Sequence, residues 1–204
     1  MLEAHDLAAR RGSLLLFQRL RLRVDAGRVL VVTGRNGSGK TTLLRMLAGL
    51  TMPAEGRVTW RGEPVGPHAA GARSHCVFAG HLPALKDELT VEENLRSLAE
   101  LAGARPSDDE VGGALATTDL AEQRTLPARV LSQGQRRRIG LARLALLPRP
   151  LWLLDEPATA LDAAGLALLA SLIAQRVRNG GTVVAATHQA LDLPAERRDE
   201  LALA

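Results

Sequence analysis

Tyrosine is absent from this chain and aromatic residues make up only 2% of it, so the core must be built from Leu, Val and Ala. A single cysteine, Cys76, excludes an internal disulfide and permits a reducing compartment. Lysine occurs only at Lys40 and Lys86, although Lys and Arg together number 26. Long apolar runs are also missing. Leu14-Leu15-Leu16-Phe17 is too short for the apolar stretch of a signal peptide, and Leu166–Ala174 is less than half a membrane span. Any association with a bilayer is therefore expected to come through another protein.

What is present suits one α/β domain. A length of 204 residues allows a sizeable core, and 46% hydrophobic with 24% charged residues is ordinary for a soluble globular chain. The net charge of +4 comes from arginines spread over the whole sequence and not from a patch, so no nucleic-acid partner is expected.

Residues 19–24 alternate Arg-Leu-Arg-Leu-Arg-Val, the pattern of a half-buried strand. Further strands are expected at Val29–Thr33, Val58–Trp60, Cys76–Ala79, Leu151–Leu154 and Thr182–Thr187. Helices are expected over 40–49, 91–102, 107–123, 132–147 and 162–178. Thr90 with Glu93 three residues on reads as a capping box, whereas Gly112 and Gly113 weaken the helix around them. Strands alternating with helices imply a mostly parallel sheet, and the N-terminal alternation implies an antiparallel layer beside it.

Three segments carry chemistry. Gly34-Arg35-Asn36-Gly37-Ser38-Gly39-Lys40-Thr41, continuing into Thr42, fits a phosphate loop between a buried strand and a helix. Its glycines let backbone N–H groups curl around phosphates, Lys40 can reach the β- and γ-phosphates, and the Thr41 hydroxyl can bind Mg²⁺. Lysine here is informative in a chain that otherwise uses arginine. Leu151-Trp-Leu-Leu-Asp155-Glu156 is an apolar strand ending in two carboxylates. Asp155 suits Mg²⁺, and Glu156 suits the general base that polarises an attacking water. In Leu131-Ser132-Gln133-Gly134-Gln135, Ser132 and Gly134 offer a hydroxyl and bare N–H groups at a helix N-terminus. That is a second phosphate device, economically read as serving the nucleotide of a second copy, although Ser132 would also serve as an ordinary helix cap. Arg136-Arg137-Arg138 reads at least as well as a solvated helix start as it does as a contact site.

These segments resemble the ATP-binding cassette (ABC) ATPases. The Walker A loop is 34–41, the signature LSQGQ is 131–135 and the Walker B strand is 151–156. The D-loop is Ala160-Leu161-Asp162, and the switch histidine is His188. The resemblance spans roughly 2–190 and implies one ABC domain of P-loop type over 1–204, with a helical subdomain at about 85–145. It implies ATP and Mg²⁺ as cofactors and an ATP-sandwich dimer with a second copy. His188 would contact the γ-phosphate, and integral membrane transporter subunits would dock on the cassette.

Two departures stand out. The family usually stacks adenine on an aromatic near the end of the first strand, where this chain has Ala9-Arg10-Arg11-Gly12 with no aromatic, and Arg11 offers its guanidinium plane as one means of stacking. The family's Q-loop glutamine position falls on His81, in Ala79-Gly80-His81-Leu82-Pro83. By resemblance His81 would link the nucleotide to the membrane partner, hydrogen-bonding the attacking water or a phosphate oxygen. Gly80-His81, Lys86 and the Arg136–Arg138 run resemble the subfamily that powers haem export in bacterial cytochrome c maturation. That implies haem-exporter membrane subunits as partners and a peripheral place on the cytoplasmic face of the inner membrane. A transporter cassette with another cargo, or a non-transport ABC protein acting on nucleic acid or the ribosome, are the alternatives.

Overall fold

A computed structural model describes residues 1–68, 75–80 and 84–203. Its centre is a parallel sheet of five strands in the order β6 (Cys76–Ala79), β7 (Leu151–Asp155), β8 (Thr182–Ala186), β3 (Val29–Gly34) and β9 (Arg198–Leu203). A second, antiparallel sheet runs β2 (Leu14–Val24), β1 (Leu2–Arg11), β4 (Glu55–Trp60) and β5 (Glu63–Val65).

Strand alternation divides the apolar residues of the parallel sheet between two cores. Trp152, Leu154, Val183 and Ala185 face one side, against Leu141 and Leu144 of α4 (Gln133–Leu146) and Leu169 and Ile173 of α5 (Ala163–Arg178). Leu151, Leu153, Val184, Leu30 and Val32 face the other, against Leu43, Leu44 and Leu47 of α1 (Lys40–Leu47) and the inner face of the antiparallel sheet. Covered on both faces, β7 and β8 read as continuous apolar runs, which is why they were visible in the sequence. Each such buried leucine or valine contributes ~1.5–3 kcal/mol of burial.

A third core joins α2 (Val91–Leu101), α3 (Asp108–Thr117) and the first half of α4 through Val91, Leu95, Leu115, Leu120 and Ile139. Capping boxes open all three helices, at Thr90 with Glu93, Ser107 with Glu110 and Ser132 with Gln135. The expected helix over 107–123 ends at Thr117. Thr118 turns its hydroxyl back onto the Ala114 carbonyl, and Asp119 takes a positive φ of 57°, which stops the helix. Among the described residues no helix is long and apolar enough to cross a membrane.

Candidate nucleotide site

The site forms where β7, β8 and β3, neighbours in the sheet, release their carboxyl ends. Two backbone hydrogen bonds tie the ends together: Thr187 N–H donates to Val32 O (3.1 Å) and Glu156 N–H to Ala186 O (2.8 Å).

β3 runs into the phosphate loop at Gly34. A Cβ on Gly34, whose φ is 146°, would lie 2.4 Å from the Leu203 carbonyl and 2.7 Å from Ser38 Oγ, so only glycine fits between β9 and the loop. At Gly37, φ 87°, a Cβ would meet nothing within 4 Å, and the residue borders the cavity that the loop surrounds. Lys40 is buried, and its ammonium donates to the Gly34 (2.7 Å) and Arg35 (3.1 Å) carbonyls, which bends the loop around the ammonium. Ser38 Oγ is buried with no hydrogen-bond partner among the described residues. That cavity, of about 460 Å³, is lined by Asn36, Gly37, Gly39, Lys40, Thr41 and Thr42 at one end. Asp155 and Glu156 also border it, and Arg11, Leu14 and Leu16 close the other end.

Thr41 Oγ1 donates to Asp155 Oδ2 at 2.9 Å, across 114 residues of sequence. Asp155 is only 4% exposed. A hydroxyl and a carboxylate oxygen side by side, next to the loop, form the hard-oxygen donor set that Mg²⁺ takes together with phosphate oxygens and water. These residues therefore fit the ion. Glu156 adopts φ 48°, uncommon for a non-glycine residue, and its carboxylate is largely buried. His188 Nδ1 lies 3.0 Å from Glu156 Oε2, yet among the described residues Oε2 accepts no hydrogen bond. The two are in contact but out of line, with His188 mostly exposed.

The signature residues stand elsewhere. Ser132 accepts from Gln135 N–H (3.2 Å), and Gln135 Oε1 accepts from Ser132 N–H (2.9 Å), so Ser132 is indeed a helix cap. Capping uses the hydroxyl oxygen as acceptor and leaves its proton for a further partner. Ser132 and Gly134 border a different cavity, with Asp119, Arg138 and Asp162. One chain thus brings together 34–42, Asp155, Glu156 and His188, and does not bring Ser132 and Gly134 to them. His81 lies outside the described residues.

Two features were not read from the sequence. Leu14 and Leu16, which read there only as a short apolar run, border the nucleotide cavity from the β1–β2 hairpin. Arg136–Arg138 do not start a solvated helix face. Arg136 donates to the Ala128 carbonyl (2.8 Å) and Asp87 (2.6 Å), Arg138 to Asp119 (2.8 Å) and Asp162 (3.4 Å), and Arg137 to the backbone carbonyls of Glu156 (2.7 Å) and Thr159 (3.1 Å).

The fold and site define an ABC ATPase. Residues 17–159 match the family model for ABC transporters, and the chain belongs to that family. It is 49% identical over 190 residues to the cytochrome c biogenesis ATP-binding export protein CcmA of Aromatoleum aromaticum, covering 93% of this chain and 89% of that one. It is 44% identical to the CcmA of Dechloromonas aromatica over the full length of both. A putative ABC transporter ATP-binding protein from Pyrococcus furiosus shares the fold, with a TM-score of 0.84 at 24% identity over 98% of this chain and 96% of that chain.

Proposed function

We propose that this chain is the ATP-hydrolysing subunit of an ABC transporter that powers haem export for cytochrome c maturation. The observation that carries the ATPase reading is the convergence at three adjacent strand ends of the phosphate loop, the Thr41–Asp155 pair and the Glu156–His188 pair. The haem-export reading is supported by the likeness to CcmA proteins across nearly the whole chain.

In this reading the loop N–H groups from Gly34 to Gly39 bind the β- and γ-phosphates at the N-terminus of α1, and Lys40 adds a positive charge there. Mg²⁺ held by Thr41 and Asp155 would neutralise charge on the phosphates. Arg11, Leu14 and Leu16 seat the adenine, with the guanidinium plane replacing an aromatic face. Glu156 accepts a proton from the attacking water, and His188 steadies the water or the γ-phosphate. Ser132 and Gly134 complete the site on a second copy, since within their own chain they border a different cavity from the one the phosphate loop lines. Membrane subunits of haem-exporter type hold the pair at the cytoplasmic face of the bacterial inner membrane.

Glu156→Gln tests the catalytic part. Mg-ATP binding should persist, hydrolysis should fall about 10²–10⁴-fold, and an ATP-dependent dimer should accumulate on size exclusion. Near-wild-type turnover would remove Glu156 from the base role. Complementation of a bacterium lacking its own CcmA, read as holo-cytochrome c, tests the cargo. An active ATPase that restores no holo-cytochrome would point to another cargo.

A further inference from the structure

The guanidinium of Arg137 is half-buried, yet among the described residues its hydrogen bonds go to backbone carbonyls and to no carboxylate. Nη2 donates to the Glu156 carbonyl at 2.7 Å and Nε to the Thr159 carbonyl at 3.1 Å, while Nη1 points at the Gly80 carbonyl at 3.5 Å. Burial pushes its pKa down, and the nearby charges of Asp155 and Glu156 push it back up. Such a placement costs solvation that three neutral carbonyls only partly return, so it calls for a role beyond filling space.

Its partners are informative. Glu156 is held in the left-handed region at φ 48°, with its N–H bound to Ala186 on β8 and its C=O bound to Arg137 on α4. Both peptide groups flanking its Cα are therefore clamped, one by the sheet and one by the helix, and the clamps set where the carboxylate points. Thr159 directly precedes Ala160, another non-glycine residue with positive φ, in the turn that leads to the α5 cap Asp162. Gly80 directly follows β6 in the chain. Arg137 stands only three and five residues beyond Gly134 and Ser132 on the same helix, so a displacement of the α4 N-terminus reaches the Glu156 peptide through one side chain.

We propose that Arg137 is the positioning residue that makes Glu156 competent only when the α4 N-terminus of the same chain is engaged by the nucleotide of a second copy. The proposal rests on the shared-site reading given above. It makes hydrolysis at the two sites interdependent: ATP seated against Ser132 and Gly134 of one chain fixes α4, and α4 through Arg137 fixes the base that acts on that chain's own ATP. The fork geometry matters. Arginine presents its N–H groups to several acceptors in one plane, whereas lysine places a single ammonium.

The test uses the full chain with Arg137→Met, which replaces the apolar stem without the donors, and Arg137→Lys, which keeps the charge without the fork. ATPase rates over a range of Mg-ATP concentrations give kcat, KM and a Hill coefficient, and a fluorescent ATP analogue gives nucleotide affinity. For R137M the expectation is a kcat at least tenfold lower, nucleotide affinity within twofold of wild type, and a Hill coefficient falling from nearly 2 towards 1. R137K should lie between, and it decides the matter if R137M does not fold. Variants that melt like wild type and retain its kcat and Hill coefficient overturn the role of Arg137. A parallel loss of affinity and kcat with unchanged cooperativity overturns it too, since that marks general damage. If wild type shows a Hill coefficient of 1 and E156Q stays monomeric with ATP, the shared-site reading falls first and the proposal with it.

Discussion

Replacing Gly34 by alanine puts a methyl group 2.4 Å from the Leu203 carbonyl, while replacing Gly37, three residues on, puts it in open space on the cavity wall. The same chemical change should therefore produce two different failures. At Gly34 the φ of 146° is one that L side chains rarely adopt, costing about 1–3 kcal/mol. The clash must open by about 1 Å, against a backbone atom of a paired strand, which adds about 1–3 kcal/mol of overpacking. A loss of roughly 3 kcal/mol or more, at about 2–4 °C per kcal/mol for a domain of this size, lowers Tm by about 6–12 °C. At Gly37 only the positive φ is penalised, about 1 kcal/mol, so Tm should move by about 2–4 °C. Its methyl nevertheless borders the space needed by the phosphates, so ATP affinity should fall at least about tenfold, equivalent to ~1.4 kcal/mol. Differential scanning fluorimetry without nucleotide, together with titration by a fluorescent ATP analogue, separates the two. Gly34→Ala with an unchanged Tm would refute the close approach of β9, and Gly37→Ala with unchanged affinity would refute the phosphate cradle.

Hydrogen bonds from Arg124, and then Arg96, hold Glu92 at a pKa of about 2 against an ordinary 4.5. Because the folded value is depressed, this contribution to stability is complete above pH 4.5 and is lost as pH falls towards 2. Wild type should therefore lose thermal stability more steeply than Glu92→Gln across that window, and parallel melting curves would contradict it. Burial pushes the Cys76 thiol up to about 11, against the opposing pull of Arg149 and Arg143, so iodoacetamide at pH 8 should label it only after unfolding. Equal labelling of folded and unfolded chain would count against that burial. Arg11→Ala should raise the KM for ATP about fivefold, a loss of ~1 kcal/mol of cation–π stacking, with kcat little changed. An unchanged KM would place the adenine elsewhere.

The glycine-rich loop and the strands behind it were legible because their physics is local. A glycine pattern between an apolar run and a helix reads one way, and β7 and β8, buried on both faces, leave unbroken apolar signatures. β9 was not legible. It is an edge strand with the sequence Arg-Asp-Glu-Leu-Ala-Leu; its inward positions are Asp199, Leu201 and Leu203, of which only Leu203 is buried, so the apolar alternation is too short to separate it from a polar tail. β1 was obscured by its bulges and by the positive φ of Asp6, which break the alternation between Ala4 and Leu7. Arg137 could not be distinguished from its neighbours by spacing. Three successive helical arginines point in three directions, and only the packing of α4 against β6 and β7 decides which one meets Glu156. The cavity position of Leu14 and Leu16 had one visible trace, an apolar run ending beside Phe17, whose ring packs against Gly39.

The scarcity of lysine has a practical consequence for labelling. Lys40 is buried, with its ammonium held by two carbonyls, so amine-reactive dyes will find it a poor target. Lys86 is exposed at its side chain, while its backbone is fastened at both ends: Asn94 Oδ1 accepts from its N–H (2.8 Å) and Asn94 Nδ2 donates to its C=O (2.9 Å). A fluorophore placed there needs no engineered cysteine or removal of competing lysines. Its point of attachment is fixed at the entrance to α2, so energy transfer from it to a labelled nucleotide reads the distance between the helical layer and the bound nucleotide in the unaltered chain.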